Sequence, residues 1–193
     1  MRSMLLAALA SIALLVTGAA HASLYHFDVT LLGTNENPPN ASPGFGLAQV
    51  VVDDIGMTMA LDVTFAGLLG LTTASHIHCC AVPPTNAGVA TQTPSFSGFP
   101  LGVTSGSYSN SFDMSLASSY NPAFITAHGG TANGAWAFLL TGMLAGQSYL
   151  NIHTNLFGGG EIRGQLVQVP EPGSLALLAI ALAGLGALRR RIR

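Results

Sequence analysis

Alternating apolar and polar residues predict β-strands in the first third of the chain. Residues 27–31 and 57–65 each alternate strictly, with Phe27 first in one apolar series and Met57 first in the other. A two-residue period is typical of strands with one buried face. Residues 45–52 are rich in β-branched side chains and predict a third strand, joined to the Met57 strand by a hairpin turn at residues 53–56.

Three further strands and one helix are predicted in the second half of the chain. Apolar or alternating residues predict strands over 135–140, 148–154 and 161–167. Asn121-Pro122 predicts the start of a short helix that ends at Gly129-Gly130. The number and spacing of the strands predict an all-β fold, an antiparallel β-sandwich of Greek-key-like topology with this one short helix.

Residues 81–107 lack a clear period and contain four prolines and four glycines. This composition predicts an ordered but irregular loop. A loop of this length in a compact domain is more often functional than a passive connection. One hypothesis is therefore a carbohydrate-binding surface on this loop.

The N-terminus has the three parts of a secretory signal peptide. Met1-Arg2 is positively charged, residues 4–16 are apolar, and Ala20-His21-Ala22 fits a cleavage site. The sequence therefore predicts a signal peptide over residues 1–22 and a mature domain that begins near Ser23.

The C-terminus combines a proline-rich triplet, an apolar run and a cluster of arginines. The run of 14 residues, 175–188, reaches about 21 Å as a helix, short of the roughly 30 Å of a bilayer core. Residues 169–193 resemble the PEP-CTERM sorting signal, with Pro170, Glu171 and Pro172 as its recognition triplet. The resemblance implies a transient membrane anchor that an exosortase-type protease removes before the protein reaches the cell surface, the extracellular matrix or a biofilm.

The charges between the two terminal segments exclude nucleic acid as a partner. Residues 23–169 hold seven acidic side chains and one basic side chain, Arg163, and the chain has no lysine. Binding by release of phosphate counterions needs several cations. A single buried cation requires an anionic partner, and we expect Glu161, Asp28 or Asp62 to pair with Arg163.

Four segments resemble the CHRD domain, which is named for the extracellular protein chordin. They are Ser75-His76-Ile77-His78, residues 149–154 and residues 159–164, together with the Gly102–Gly106 segment. The resemblance runs from about Leu24 to Val167, which places the domain at residues 23–168, and it implies an extracellular β-sandwich without a defined activity. The family-motif residues in this chain are Asn151, Thr154, Gly160, Glu161, Arg163 and Gly164.

Three histidines form a candidate metal site. His76 and His78 are two residues apart, so their side chains leave a strand on the same face. His153 joins them if its strand lies nearby, and Cys80 offers a fourth ligand. Such donors suit copper or zinc. The alternative is that hydrogen bonds from the histidines to loop carbonyls or to Glu161 hold the long loop in place.

Cys79 and Cys80 depart from the family pattern, in which we expect a glycine or another small polar residue. Three interpretations remain open for the pair: a vicinal disulfide, a metal ligand near the histidines, or a bond between chains.

Motifs for catalysis are missing from the sequence. It contains no nucleophile elbow, phosphate-binding loop, dinucleotide fingerprint or helical zinc-protease motif. The leading hypothesis is therefore a non-enzymatic exported matrix or surface protein delivered with exopolysaccharide. The second hypothesis is a copper- or zinc-binding module.

Overall fold

The computed structural model describes residues 23–170 and places their strands in one antiparallel sheet. The strands are β1 (Leu24–Leu32), β2 (Phe45–Asp53), β3 (Thr58–Ala66), β4 (Thr72–Cys79), β5 (Gly106–Asp113), β6 (Ser148–Thr154), β7 (Ile162–Gln165) and β8 (Val167–Val169). They pair in the order β4-β6-β7-β1-β2-β3-β5, and β8 also pairs with β1. The predicted all-β antiparallel class is confirmed.

The sheet curls so that its two outermost strands approach each other at one end. The backbone N–H of Leu68 donates to the carbonyl of Thr104 over 3.1 Å, and that of Thr72 donates to Val103 over 2.9 Å. These bonds join the segments that lead into β4 and β5, the first and last strands of the sheet. The concave face therefore encloses the core.

Burial confirms the alternation predicted in β1 and β3, and β2 confirms the third predicted strand. Phe27, Val29 and Leu31 are buried on β1, which pairs with β2 over nine residues. The predicted hairpin turn after β2 is also present, because the Asp53 carboxylate accepts hydrogen bonds from the backbone N–H groups of Ile55 and Gly56.

Two α-helices occur in residues 23–170, α1 (Pro122–Ala127) and α2 (Ala132–Leu144). The first is the helix that the sequence predicts, and Asn121 caps it by accepting a hydrogen bond from the N–H of Ala123. The second helix corrects an error, because residues 135–140 were predicted to form a strand.

Helix α2 forms where the sequence offers no period to distinguish helix from strand. Every residue from Ala135 to Leu140 is apolar, and such runs fit either element. Trp136, Leu139 and Met143 lie three and four residues apart and are buried on one face of the helix. The Thr131 side chain caps the first turn by accepting from the N–H of Gly134.

Two further differences concern strand boundaries. The strand predicted over 161–167 is divided into β7 and β8, which are separated at Leu166. The irregular loop predicted over 81–107 is present, but its last two residues open β5, a strand that the sequence reading missed.

Two predicted terminal segments lie outside the described residues. These are the signal peptide over 1–22 and the sorting tail beyond Pro170, which includes Glu171 and Pro172. Between Ser23 and Pro170, none of the helices combines the length and the apolar character needed to cross a bilayer.

Candidate metal centre

Strands β4 and β6 bring three histidines to one face of the sheet. His76 and His78 lie two residues apart on β4. In the antiparallel pairing of these strands, Ala74 lies opposite His153 of β6. His76 and His78 are each 7% exposed.

The three imidazole rings converge as the sequence predicts. One ring nitrogen of each residue lies within 4.8 Å of the others. The His153 ring centroid is 5.1 Å from that of His76 and 5.7 Å from that of His78. Metal–nitrogen bonds of about 2 Å place the nitrogens at most about 4 Å apart. Binding of an ion would therefore need only a small contraction of the cluster.

Each histidine uses one ring nitrogen in a hydrogen bond to a loop carbonyl. His76 Nε2 lies 2.6 Å from the carbonyl oxygen of Pro94, and His78 Nδ1 lies 2.9 Å from that of Ala87. His153 Nδ1 lies 3.0 Å from the carbonyl oxygen of Gly158. A carbonyl only accepts, so these nitrogens carry the protons.

The remaining nitrogens are therefore free lone-pair donors. They are His76 Nδ1, His78 Nε2 and His153 Nε2, all buried without a hydrogen-bond partner. Burial lowers the pKa of His78 to about 4, and it also lowers the pKa of His76 and of His153. The rings are neutral near pH 7, which is the state that binds a metal.

An aromatic stack supports the cluster from the side. The ring of Tyr149 lies parallel to that of His78, with centroids 4.8 Å apart. The Tyr149 hydroxyl accepts a hydrogen bond from the N–H of Ala87 over 3.1 Å. Because Ala87 also bonds to His78 through its carbonyl, the loop is attached to both rings.

Cys80 does not join the histidine cluster, which corrects its assignment as a fourth ligand. Its sulfur is bonded to that of Cys79 in a vicinal disulfide, so it offers no thiolate. The Cys79 sulfur accepts a hydrogen bond from the Ser148 hydroxyl over 3.1 Å. Both sulfurs pack against Gly142 of α2, where a side chain would overlap them. The disulfide thus packs the end of β4 against the helix.

Glu161 has a structural position away from the histidines. Its buried carboxylate accepts hydrogen bonds from the hydroxyls of Ser42 and Thr154 and from the N–H groups of Leu69 and Gly70. The alternative in which Glu161 binds the histidines is not observed. The carboxylate instead ties three separate segments together.

Arg163 pairs with Glu36, which corrects the expected pairing with Glu161, Asp28 or Asp62. Its Nε lies 3.9 Å from Glu36 Oε2, and both side chains are buried. No local signal in the sequence could indicate this pair, because the two residues are far apart in the chain.

The guanidinium of Arg163 also joins two loops. It donates to the carbonyl oxygens of Asn35 and Pro84 and to the side-chain oxygen of Asn86. These bonds fix the loop before β2 against the long loop that holds Ala87. The motif arginine therefore supports the histidine centre indirectly.

The other family-motif residues lie on β6, on β7 and in the turn between them. Asn151 and Thr154 lie on β6, and Gly160 directly precedes Glu161. Gly164 is required because a side chain there would meet the backbone of Thr30 on β1.

Comparisons with known proteins agree with this description. The CHRD domain family matches residues 27–166, and the PEP-CTERM protein-sorting motif matches residues 168–191. No curated protein and no solved structure matches the chain. The sorting motif marks an exported protein of the surface or the extracellular space that an exosortase recognises. Because the family match spans most of its length, the chain belongs to the CHRD domain family.

Proposed function

We propose that this protein is a non-enzymatic metal-binding protein of the cell surface or extracellular matrix. Its His76, His78 and His153 would bind one zinc or copper(II) ion. The observation that carries the proposal is that each of three histidines has a buried ring nitrogen without a hydrogen-bond partner, while their ligand nitrogens lie within 4.8 Å of one another.

The energetics favour an ion at this position. A buried polar atom without a partner costs about 1–3 kcal/mol. Three such atoms in one cluster would together destabilise the fold by several times this amount if nothing bound to them. An ion coordinated by all three nitrogens would remove this cost.

The surroundings of the rings support the same proposal. Metal-binding histidines generally donate their second N–H to a carbonyl or carboxylate, which fixes the ring orientation. His76, His78 and His153 each have such a carbonyl partner. The hydrogen bonds that hold the loop to the histidines are therefore the same bonds that would orient the three rings as metal ligands.

The donor set narrows the choice of metal. Three imidazoles suit zinc or copper, whereas calcium and magnesium require oxygen ligands. With Cys80 held in the disulfide, the ligand cluster found among residues 23–170 consists of the three histidines, so the fourth ligand would be a small molecule such as water.

The ion would fix the long loop to the sheet. The carbonyls of Ala87 and Pro94, which belong to this loop, bond to His78 and His76. Metal binding would therefore rigidify an exposed part of a surface protein. Exopolysaccharide as a partner remains a prediction.

Metal analysis of the purified full-length chain tests the proposal. After zinc or copper(II) loading and gel filtration, we expect about one bound ion per chain, and less than about a tenth in His76→Ala and His78→Ala variants. His26→Ala is the matched control, because His26 is exposed on β1. Binding below a tenth of an equivalent in the unaltered chain would contradict the proposal.

Replacement of the sorting triplet tests delivery separately. A chain with alanine at Pro170, Glu171 and Pro172 should keep its tail and stay with the membrane fraction in cells that contain the sorting protease. Immunoblots of membrane and external fractions measure this. Release of the altered chain at the normal level would contradict sorting through this motif.

A further inference from the structure

The unpartnered buried atoms of the described residues extend beyond the histidines. Three of the six are side-chain oxygens, Glu36 Oε1, Asn151 Oδ1 and Gln165 Oε1. The oxygens of Glu36 and Asn151 both lie next to Gly160. They raise the question of what occupies the space between them.

Asn151 lies beside the histidine cluster. It pairs directly with His76 in the register of β4 and β6. It also precedes His153 by two residues, so the two side chains leave β6 on the same face. Its Nδ2 donates to the carbonyl of Gly159 over 3.4 Å, which leaves Oδ1 as the free acceptor.

Glu36 approaches Asn151 across the backbone of Gly160. A methyl group on Gly160 would contact both the Asn151 amide and Glu36 Oε1. Gly160 has a φ of 128°, a conformation that favours glycine. The missing side chain therefore brings the two oxygens to one small space. Glu36 is only 6% exposed, and its other oxygen faces Arg163.

The unpartnered atoms of the three histidines, Asn151 and Glu36 can all accept hydrogen bonds or coordinate a cation. The free histidine nitrogens are lone-pair donors to a metal, and the amide oxygen of Asn151 only accepts. An ion satisfies the nitrogens directly, but an O–H or N–H group is needed for the oxygens. A ligand bound to the ion can supply that group.

We infer that Asn151 and Glu36 form a subsite for a protic ligand, such as water, on the metal ion held by the three histidines. This inference rests on the proposed metal centre. A three-histidine site with an exchangeable fourth ligand is open, whereas structural sites are closed by protein ligands. The centre would thus present an ion that can exchange a small ligand.

Electron paramagnetic resonance of the copper(II)-loaded full-length chain tests the subsite. Spectra are recorded in ordinary water and in water enriched in oxygen-17, at a pH above the Glu36 pKa of about 7. We expect line broadening in enriched water, because a bound water oxygen couples to copper. Asn151→Leu should keep one copper per chain and lose the broadening.

Two matched variants separate the subsite from general damage. Asn151→Asp retains a side-chain oxygen acceptor and should retain the broadening. Gln165→Met removes the third unpartnered oxygen, which lies on β7, and should leave the spectra unchanged. Circular dichroism confirms that each variant is folded.

Each outcome decides a different claim. One copper per chain without broadening in the unaltered protein overturns the subsite and leaves the metal centre intact. Broadening that persists in Asn151→Leu overturns the role of Asn151. Failure of the unaltered chain to bind copper or zinc overturns the metal centre and the subsite with it.

Discussion

Arg163 lies over the ring of Tyr149, with its Cζ 4.6 Å from the ring centroid. The same ring also stacks on that of His78, which belongs to the candidate metal centre. The arginine, the tyrosine and the histidine therefore form a continuous row. The only base among residues 23–169 thus supports the histidine centre through packing as well as through its loop contacts.

Arg163→Ala should destabilise the protein severely. It leaves Glu36 buried without its ion-pair partner, and such losses cost about 3–5 kcal/mol. Urea denaturation measures the free energy of unfolding. Arg163→Lys should recover only part of it, because an ammonium cannot reproduce the planar guanidinium contacts.

Asp62→Asn, at an exposed position, is the control for a charge change and should stay within about 0.5 kcal/mol of the parent. A cost below about 1 kcal/mol for Arg163→Ala would contradict a central role for the buried pair.

Glu161→Gln should lower the stability of the protein near neutral pH. It should also make that stability less dependent on pH in the acidic range. Burial alone would raise the pKa of Glu161, but hydrogen bonds from Ser42, Leu69, Thr154 and Gly70 lower it overall below 4.5. A depressed pKa contributes stability above the unfolded value, and this stability is lost as the pH falls through the folded value. Hydrogen bonds to a charged group are worth about 1.5–3 kcal/mol.

Denaturation of the Glu161→Gln variant between pH 7 and pH 3 measures both effects. Asp28→Asn, changed at an exposed side chain, controls for the loss of one negative charge. If the free energies of unfolding of the parent and of Glu161→Gln change in parallel with pH, the charge of the Glu161 carboxylate does not contribute to stability.

The sequence predicts the parts of the fold that have a clear period. Residues 27–31 and 57–65 alternate because one face is buried, and His76 and His78 share a face for the same geometric reason. The approach of His153 depends on the pairing of β4 with β6, which separate parts of the chain provide. That convergence was a hypothesis in the sequence and is an observation in the structure.

The errors have equally physical causes. Residues 135–140 are apolar at every position, so their pattern does not reveal that they form a helix. The capping residue Thr131 was the available signal. Glu36 gave none, because its pairing with Arg163 arises only when distant loops meet.

The metal-free protein should lose stability as the pH falls below 6.5. Burial lowers the pKa of His78 from 6.5 to about 4. Between pH 6.5 and pH 4, His78 is therefore protonated in the unfolded chain but neutral in the folded chain. Stability declines as the pH falls through this range. The contribution of His78 reaches at most about 3 kcal/mol. The raised pKa of Glu36 acts in the opposite direction, so the comparison must isolate His78.

His78→Phe provides that comparison, because a phenyl ring can keep the stack on Tyr149. Chelator-treated parent and variant are denatured at several pH values between 4 and 7. The variant should depend less on pH over this range. Identical slopes would show that His78 does not resist protonation in the folded state.

Gly142→Ala should destabilise the protein although alanine is the better helix former. A Cβ at this position would overlap the sulfurs of Cys79 and Cys80. Alanine normally gains about 1 kcal/mol over glycine in a helix, whereas overpacking costs about 1–3 kcal/mol. We therefore expect a net loss of about 1 kcal/mol by urea denaturation. Gly88→Ala is the control, because nothing lies within 4 Å of a Cβ there.

A second background identifies the sulfurs as the cause of this loss. In a chain with Cys79→Ala and Cys80→Ala, both overlapping sulfurs are gone, and only the Cβ at position 80 stays close to the added methyl, at 3.1 Å. Gly142→Ala should therefore cost less in this background, or become stabilising by up to about 1 kcal/mol. This difference between the two backgrounds is a coupling between residues in contact, which distant sites do not show. An equal loss in both backgrounds would mean that α2 does not rest on the disulfide, and that the link between the helix and the end of β4 is made by other residues.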